Sequence, residues 1–222
     1  MIKEAITATL MLSLGVAGVS EAGENNKRSS GKKTSAPGYT VISPIFSQLV
    51  SFTLPAGFTT VWEDGNKTSY LREAVPTGET VESWTQMVTV TGAKGLAGNP
   101  DVTPRSFAGA VAGGFEKSCP DTYSGKILKE GKNERGYDHI VAVVSCGATP
   151  GGSGMSSESA LVVVIKGDRD YYTLQWAERG SPSGKAIPVN PQKWKGRLAK
   201  LAPINLSPIV PGAPQPSPSR SK

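Results

Sequence analysis

Apolar and polar residues alternate with a period of two through most of the central chain, and that period predicts strands rather than helices. The first such stretch is 49–54, with Leu49, Val50, Phe52 and Leu54 before Pro55. Stretches 58–62 and 68–75 flank Glu63-Asp64-Gly65-Asn66, whose residue types suit a tight hairpin turn. The pattern breaks at Pro76, Thr77 and Gly78 and resumes over 84–91 with Trp84, Met87, Val88 and Val90. Further on, 123–129, 137–146, 160–166 and 171–177 read as four successive strands of an antiparallel meander, the last two joined by Gly167-Asp168-Arg169-Asp170. Between the second and third of these, residues 147–158 hold Pro150, Gly151, Gly152 and Gly154, a composition that predicts a mobile, poorly packed loop.

Two windows change to a helical period. Thr103 is placed to cap a helix, Pro104 to open it, and Phe107, Val111 and Phe115 form an apolar stripe at spacings of four. Ala108, Ala110, Ala112, Gly113 and Gly114 lower its intrinsic stability, so packing on a sheet must hold it. Asn190 and Pro191 open a second helix whose Trp194, Leu198 and Leu201 share one side. Lys193, Arg197 and Lys200 repeat that spacing one position earlier, which makes a basic stripe: a solvated face, or alternatively an anion-binding surface. Strands, a helix, more strands and a last helix predict an α+β fold, an antiparallel sheet of about six to eight strands covered by two helices.

The ends differ in composition from this middle. Lys3 precedes an uncharged run over 5–19 that includes Leu10, Met11, Leu12, Leu14 and Val16. A membrane span needs roughly 20 apolar residues, so this shorter run reads as the h-region of a secretory signal over 1–22, with Ser20 and Ala22 preceding the cut before Gly23. Residues 23–44 are polar and glycine-broken, with Lys27, Arg28, Lys32 and Lys33 grouped, and read as a flexible basic arm. Residues 203–222, with Pro203, Pro208, Pro211, Pro214, Pro216 and Pro218, read as an extended proline-rich tail. That leaves 45–202 as one domain.

Removing 1–22 takes away Lys3, Glu4 and Glu21 and so raises the net charge of +6 by one. A basic balance favours acidic partners such as anionic lipid, polysaccharide or nucleic acid without indicating which, and solubility alone explains it equally well. Export would carry Cys119 and Cys146 into an oxidising compartment, and a disulfide between them is expected. Two cysteines this far apart and a single histidine do not make a four-ligand zinc set, and no C-x-x-C pair or Walker spacing occurs. No cofactor is implied.

Candidate chemistry is sparse. His139, the sole histidine, lies in an apolar strand with no placed nucleophile, and its neighbour Asp138 points to the opposite face, which removes the pair as an acid/base dyad. Glu63, Glu73, Glu79 and Glu82 gather around the hairpin and turn, where solvated turns explain them more simply than a glycosidase pair. Trp62, Trp84, Trp176 and Trp194 are expected in the core.

The run Tyr70-Leu71-Arg72-Glu73-Ala74-Val75-Pro76-Thr77-Gly78-Glu79-Thr80-Val81-Glu82-Ser83-Trp84-Thr85-Gln86-Met87 resembles a strand, turn and Trp-Thr segment of small exported bacterial proteins with a PsbP-like fold. The resemblance extends to the Trp-Lys helix leading into Leu201-Ala202-Pro203-Ile204. It implies a periplasmic, one-domain α+β protein and carries over no catalytic residue. The functional expectation is a non-enzymatic exported accessory or binding protein acting with an envelope component. The alternatives are an envelope hydrolase built around His139 and the glycine-rich loop, and anion or nucleic-acid binding through the basic arm and last helix.

Overall fold

The computed structural model describes residues 38–151, 154–210 and 212. The expected signal segment, residues 23–37 of the arm and most of the proline-rich tail lie outside these residues. Seven strands form the main sheet in the order β3 (Phe58–Gly65), β4 (Ser69–Pro76), β5 (Gln86–Ala93), β9 (Tyr171–Gly180), β8 (Gly154–Lys166), β7 (Asp138–Gly151), β6 (Tyr123–Lys132), every pair antiparallel. A second sheet of three strands has the order β1 (Tyr39–Ile45), β2 (Gln48–Leu54), β10 (Asn205–Pro208). Two helices, α1 (Pro104–Ser118) and α2 (Pro191–Leu201), complete the α+β architecture.

Both faces of the main sheet are covered, and the parity of its strands shows how. Leu161, Val163 and Ile165 of β8, Val141 and Val143 of β7, and Leu174 and Trp176 of β9 pack with Val50, Phe52 and Leu54 of β2 and with Trp194 and Leu201 of α2. The alternate residues Val162, Val164, Ile140, Val144 and Tyr171 pack with Phe107 and Ala108 of α1. Near-continuous apolar runs such as 160–165 are what a strand buried on both sides requires. The meander β6–β9 returns β9 to pair with β5, and α1 makes the crossing from β5 to the far edge, lying over β7, β8 and β6.

Both helix starts follow from their caps. Thr103 accepts from the Ser106 amide while Ser106 Oγ accepts from the Thr103 amide, a reciprocal box at N3, and Asn190 accepts from the amides of Gln192 and Lys193. Cys119, just past α1, is bridged to Cys146 of β7 with a Cα–Cα distance of 5.7 Å and a sequence separation of 27. Closing a loop of that length stabilises the fold by about 3 to 4 kcal/mol in the chain-entropy description.

Several boundaries differ from the sequence expectation, among them that of the expected turn 63–66, since β3 continues to Gly65. The basic arm ends earlier than 44, because residues 39–44 already belong to β1, paired with β2 from Tyr39↔Leu54 to Ile45↔Gln48. Composition upstream masked the alternation that begins at Tyr39. The proline-rich segment contributes β10, whose Leu206 is buried in the core; its four residues lie at the sheet edge, where a terminal proline is tolerated. The 147–158 segment is not a loose loop but an extension of the β7–β8 hairpin, with Thr149↔Ser156 and Pro150↔Met155 in register. Gly147 serves close approach: a Cβ there would stand 2.3 Å from the Lys185 carbonyl oxygen and 2.6 Å from that of Ser183.

Candidate functional site

The small sheet lies over one face of the main sheet but does not fill the space above β3, β4 and β5. A half-open cleft of about 320 Å³ remains there, between residues 39–42 of β1, Phe52 and Leu54 of β2, and Thr60, Arg72, Ala74, Val88 and Val90 of the main sheet. Strand parity sets the lining. Ala74 pairs with Val88 and Arg72 with Val90, so all four side chains face the cleft, and β1, one edge strand of the small sheet, forms its far wall. Tyr39 lies at this wall, 39% exposed.

Arg72 is the one charged residue of the lining. Its Nη2 donates to Ser43 Oγ at 2.6 Å, which ties β4 to β1. A guanidinium has five N–H donors, and among the described residues no carboxylate lies within ion-pair distance of this one. Glu63 stands opposite Arg72 in the β3–β4 register, yet it is exposed and accepts instead from Tyr70 Oη at 2.8 Å. Burial and then the hydrogen bond to Glu63 push the Tyr70 phenol up to about 12, against the opposing pull of Arg72, so Tyr70 is a neutral donor at physiological pH. The cleft therefore combines apolar walls with a cation that has spare donors.

The residues singled out from sequence fall elsewhere. Lys193 and Arg197 both turn onto Glu178, at 2.6 and 2.5 Å, and lie over the rings of Trp194 and Trp176. Two cations of the stripe thus already share a carboxylate and clasp α2 to β9; Lys200 is exposed. His139 is buried and its Nδ1–H donates to the Gly131 carbonyl at 2.8 Å, while Asp138 pairs with Lys132 at 3.0 Å, so the two are engaged separately. Glu79 accepts from the Thr85 amide and hydroxyl, fixing a turn. Trp84, Trp176 and Trp194 are buried, but Trp62 is 50% exposed, because a bulge between Thr60 and Trp62 sets the β3 edge off its register. Trp84 precedes β5 rather than lying in it, and Arg179 covers its ring at 3.7 Å while pairing with Glu158.

Sequence reasoning did not find Arg72, Ser43 or Asp170. Arg72 shares the parity of Ala74 within a strand, which places it on the inner face; that was the available signal. Asp170 is buried where three turns meet, accepting from the Ser47 hydroxyl and amide at 2.5 and 3.1 Å, the Gly95 amide at 2.7 Å and Tyr172 Oη at 3.3 Å. Burial alone would raise its carboxyl; the hydrogen bonds from Ser47, Gly95 and Tyr172 outweigh that and hold it below its ordinary value. Among the described residues no group of three or more His, Cys, Asp or Glu is placed to hold a metal ion, and no helix is long and apolar enough to cross a membrane.

No family model and no curated protein matches the chain. Among solved structures it is similar to a crystal structure of a Bacteroides thetaiotaomicron protein, with 15% identity and a TM-score of 0.40 over 81% of this chain. The chain spans about half of that protein, 51% of its length, and the likeness is a distant one of shape.

Proposed function

We propose that this chain is an exported, non-catalytic binding protein whose small-molecule ligand occupies the cleft between its two sheets. The observation that carries the reading is the cleft itself: small-molecule sites are concave, mostly apolar and furnished with a few polar groups, and 320 Å³ falls at the lower end of their roughly 300–1,000 Å³ range. Export is supported by the uncharged run after Lys3 and by the Cys119–Cys146 bridge, since disulfides persist mainly in oxidising compartments. A periplasmic address and a PsbP-like relationship belong to this proposal, on the strength of the segment from Tyr70 to Met87.

Calorimetric titration of the full chain with decanol, a neutral apolar probe, tests the cleft. Binding by the wild type that is lost in Ala74→Phe, whose ring would occupy the space, is the expected result. Equal binding by both proteins would place the probe elsewhere and reject the reading. Export is checked by fractionation and N-terminal sequencing of the native protein; intact Met1 on a cytoplasmic product would reject that part.

A further inference from the structure

We propose that the cleft selects a small amphiphilic carboxylate, an acyl chain carrying one anionic head, with Arg72 as the receptor for that head. This rests on the cleft being a ligand site and adds the chemistry of what it takes. The walls assign the body of the ligand. Val41, Phe52, Leu54, Ala74, Val88 and Val90 offer contact to hydrocarbon, and burying apolar surface stabilises a complex by roughly 25 cal/mol per Å².

Arg72 assigns the head. Its hydrogen bond to Ser43 holds the side chain at the cleft wall and fixes its orientation, leaving the other donors of a planar fork that matches a carboxylate bidentately. Pre-orientation of this kind reduces the entropy lost on binding. Charge complementarity separates the ligand classes. An alkyl carboxylate satisfies the guanidinium; an alkyl alcohol fills the walls but leaves the positive charge without a counter-ion; an alkyl ammonium meets repulsion beside apolar walls that screen poorly. One guanidinium suits a single negative charge, and about 320 Å³ suits one medium-length chain rather than a two-chain lipid. The same charge disfavours the chain's own basic segment, with Lys27, Arg28, Lys32 and Lys33, as the occupant.

The test is calorimetric titration of the full chain with decanoate, decanol and decylammonium, each below its micellar concentration, against wild type, Arg72→Met, Arg72→Lys and Ala74→Phe. Decanoate is expected to bind wild type at least about tenfold more tightly than decanol, the factor one charge-assisted hydrogen bond supplies, and decylammonium more weakly than either. Arg72→Met should bring decanoate down to the level of decanol, Arg72→Lys should retain part of the preference, and Ala74→Phe should remove binding of both. Decanol matching decanoate in wild type, or a decanoate preference surviving in Arg72→Met, overturns the assignment of the head while leaving the cleft a ligand site. If neither probe binds the wild type, both readings fall together. Should Arg72→Met not fold, the wild-type ratio and the Arg72→Lys variant still decide the matter.

Discussion

The two polar centres of the inter-sheet space are built on opposite terms. At one corner Asp170 is enclosed by the Ser47 amide and hydroxyl, the Gly95 amide and Tyr172 Oη, and beside it Gln48 accepts from the Asp168 amide while donating to Tyr137 Oη. In the cleft, Arg72 donates to Ser43 through one of its N–H groups, with no carboxylate beside it among the described residues. A buried charge whose hydrogen-bonding capacity is met by its own chain is a fastening, and its network rigidifies what it joins. A charge with spare donors facing an unfilled apolar space contributes less to folding and keeps its capacity for something that arrives later.

That contrast sets the order of expected effects. Asp170→Ala should be the most damaging change, since it strips the acceptor from two backbone amides and two hydroxyls at the junction of the β1–β2 turn, the turn after β5 and the β8–β9 turn. A loss of about 3 kcal/mol or more, read from urea unfolding, is expected. The pH dependence follows from the sign of the shift. Because the Asp170 carboxyl is held below its ordinary value, its contribution is complete above the ordinary carboxylate value near 3.9 and is lost as pH falls through the lowered one. The gap between wild type and Asp170→Asn should therefore stay constant from neutral pH down to about 4 and close below it.

Arg72→Met should cost about 1.5 kcal/mol, the lower end of the range for a hydrogen bond to a charged group, in the same urea experiment. A loss as large as that at Asp170 would mean that Arg72 is a fastening too, and would erase the contrast. The smallest effect is expected at Glu73, on the opposite side of β4, whose carboxyl burial raises. A raised value means that the folded chain holds this proton more tightly than the unfolded one, so stability falls as pH rises through the carboxyl range. Glu73→Gln removes that penalty; its thermal midpoint should be slightly higher than wild type at neutral pH and equal to it below about pH 4.

Local signals carried much of the fold. The apolar run along 160–166, the alternation along 171–177, the Thr103 and Asn190 caps, and the cysteine pair each have a short-range or compartmental cause, and the structure contains those strands, both helices and the bridge. What escaped has causes in distant partners. Residues 39–44 follow a basic stretch and 205–208 stand among prolines, yet both pair with β2 because Val50, Phe52 and Leu206 need cover. The pairing of β5 with β9 joins segments about eighty residues apart, from Gln86↔Glu178 to Ala93↔Tyr171. The cleft depends on such joins. Ser43 and Arg72 become partners only after β1 is laid across β4, and no spacing within either segment announces it. Gly147 reads as part of a slack segment because the close approach of 183–185 to it cannot be seen from one end of the contact.

The most direct measurement is a methyl-resolved NMR titration of the full chain with decanoate. The signals of Val41, Leu54, Val88 and Val90, which line the cleft, are expected to shift in a saturable way, while Val75, Val144 and Val162 on the α1 side stay in place. Saturable shifts confined to the α1 side, or none at the cleft methyls, would contradict the cleft as the ligand site.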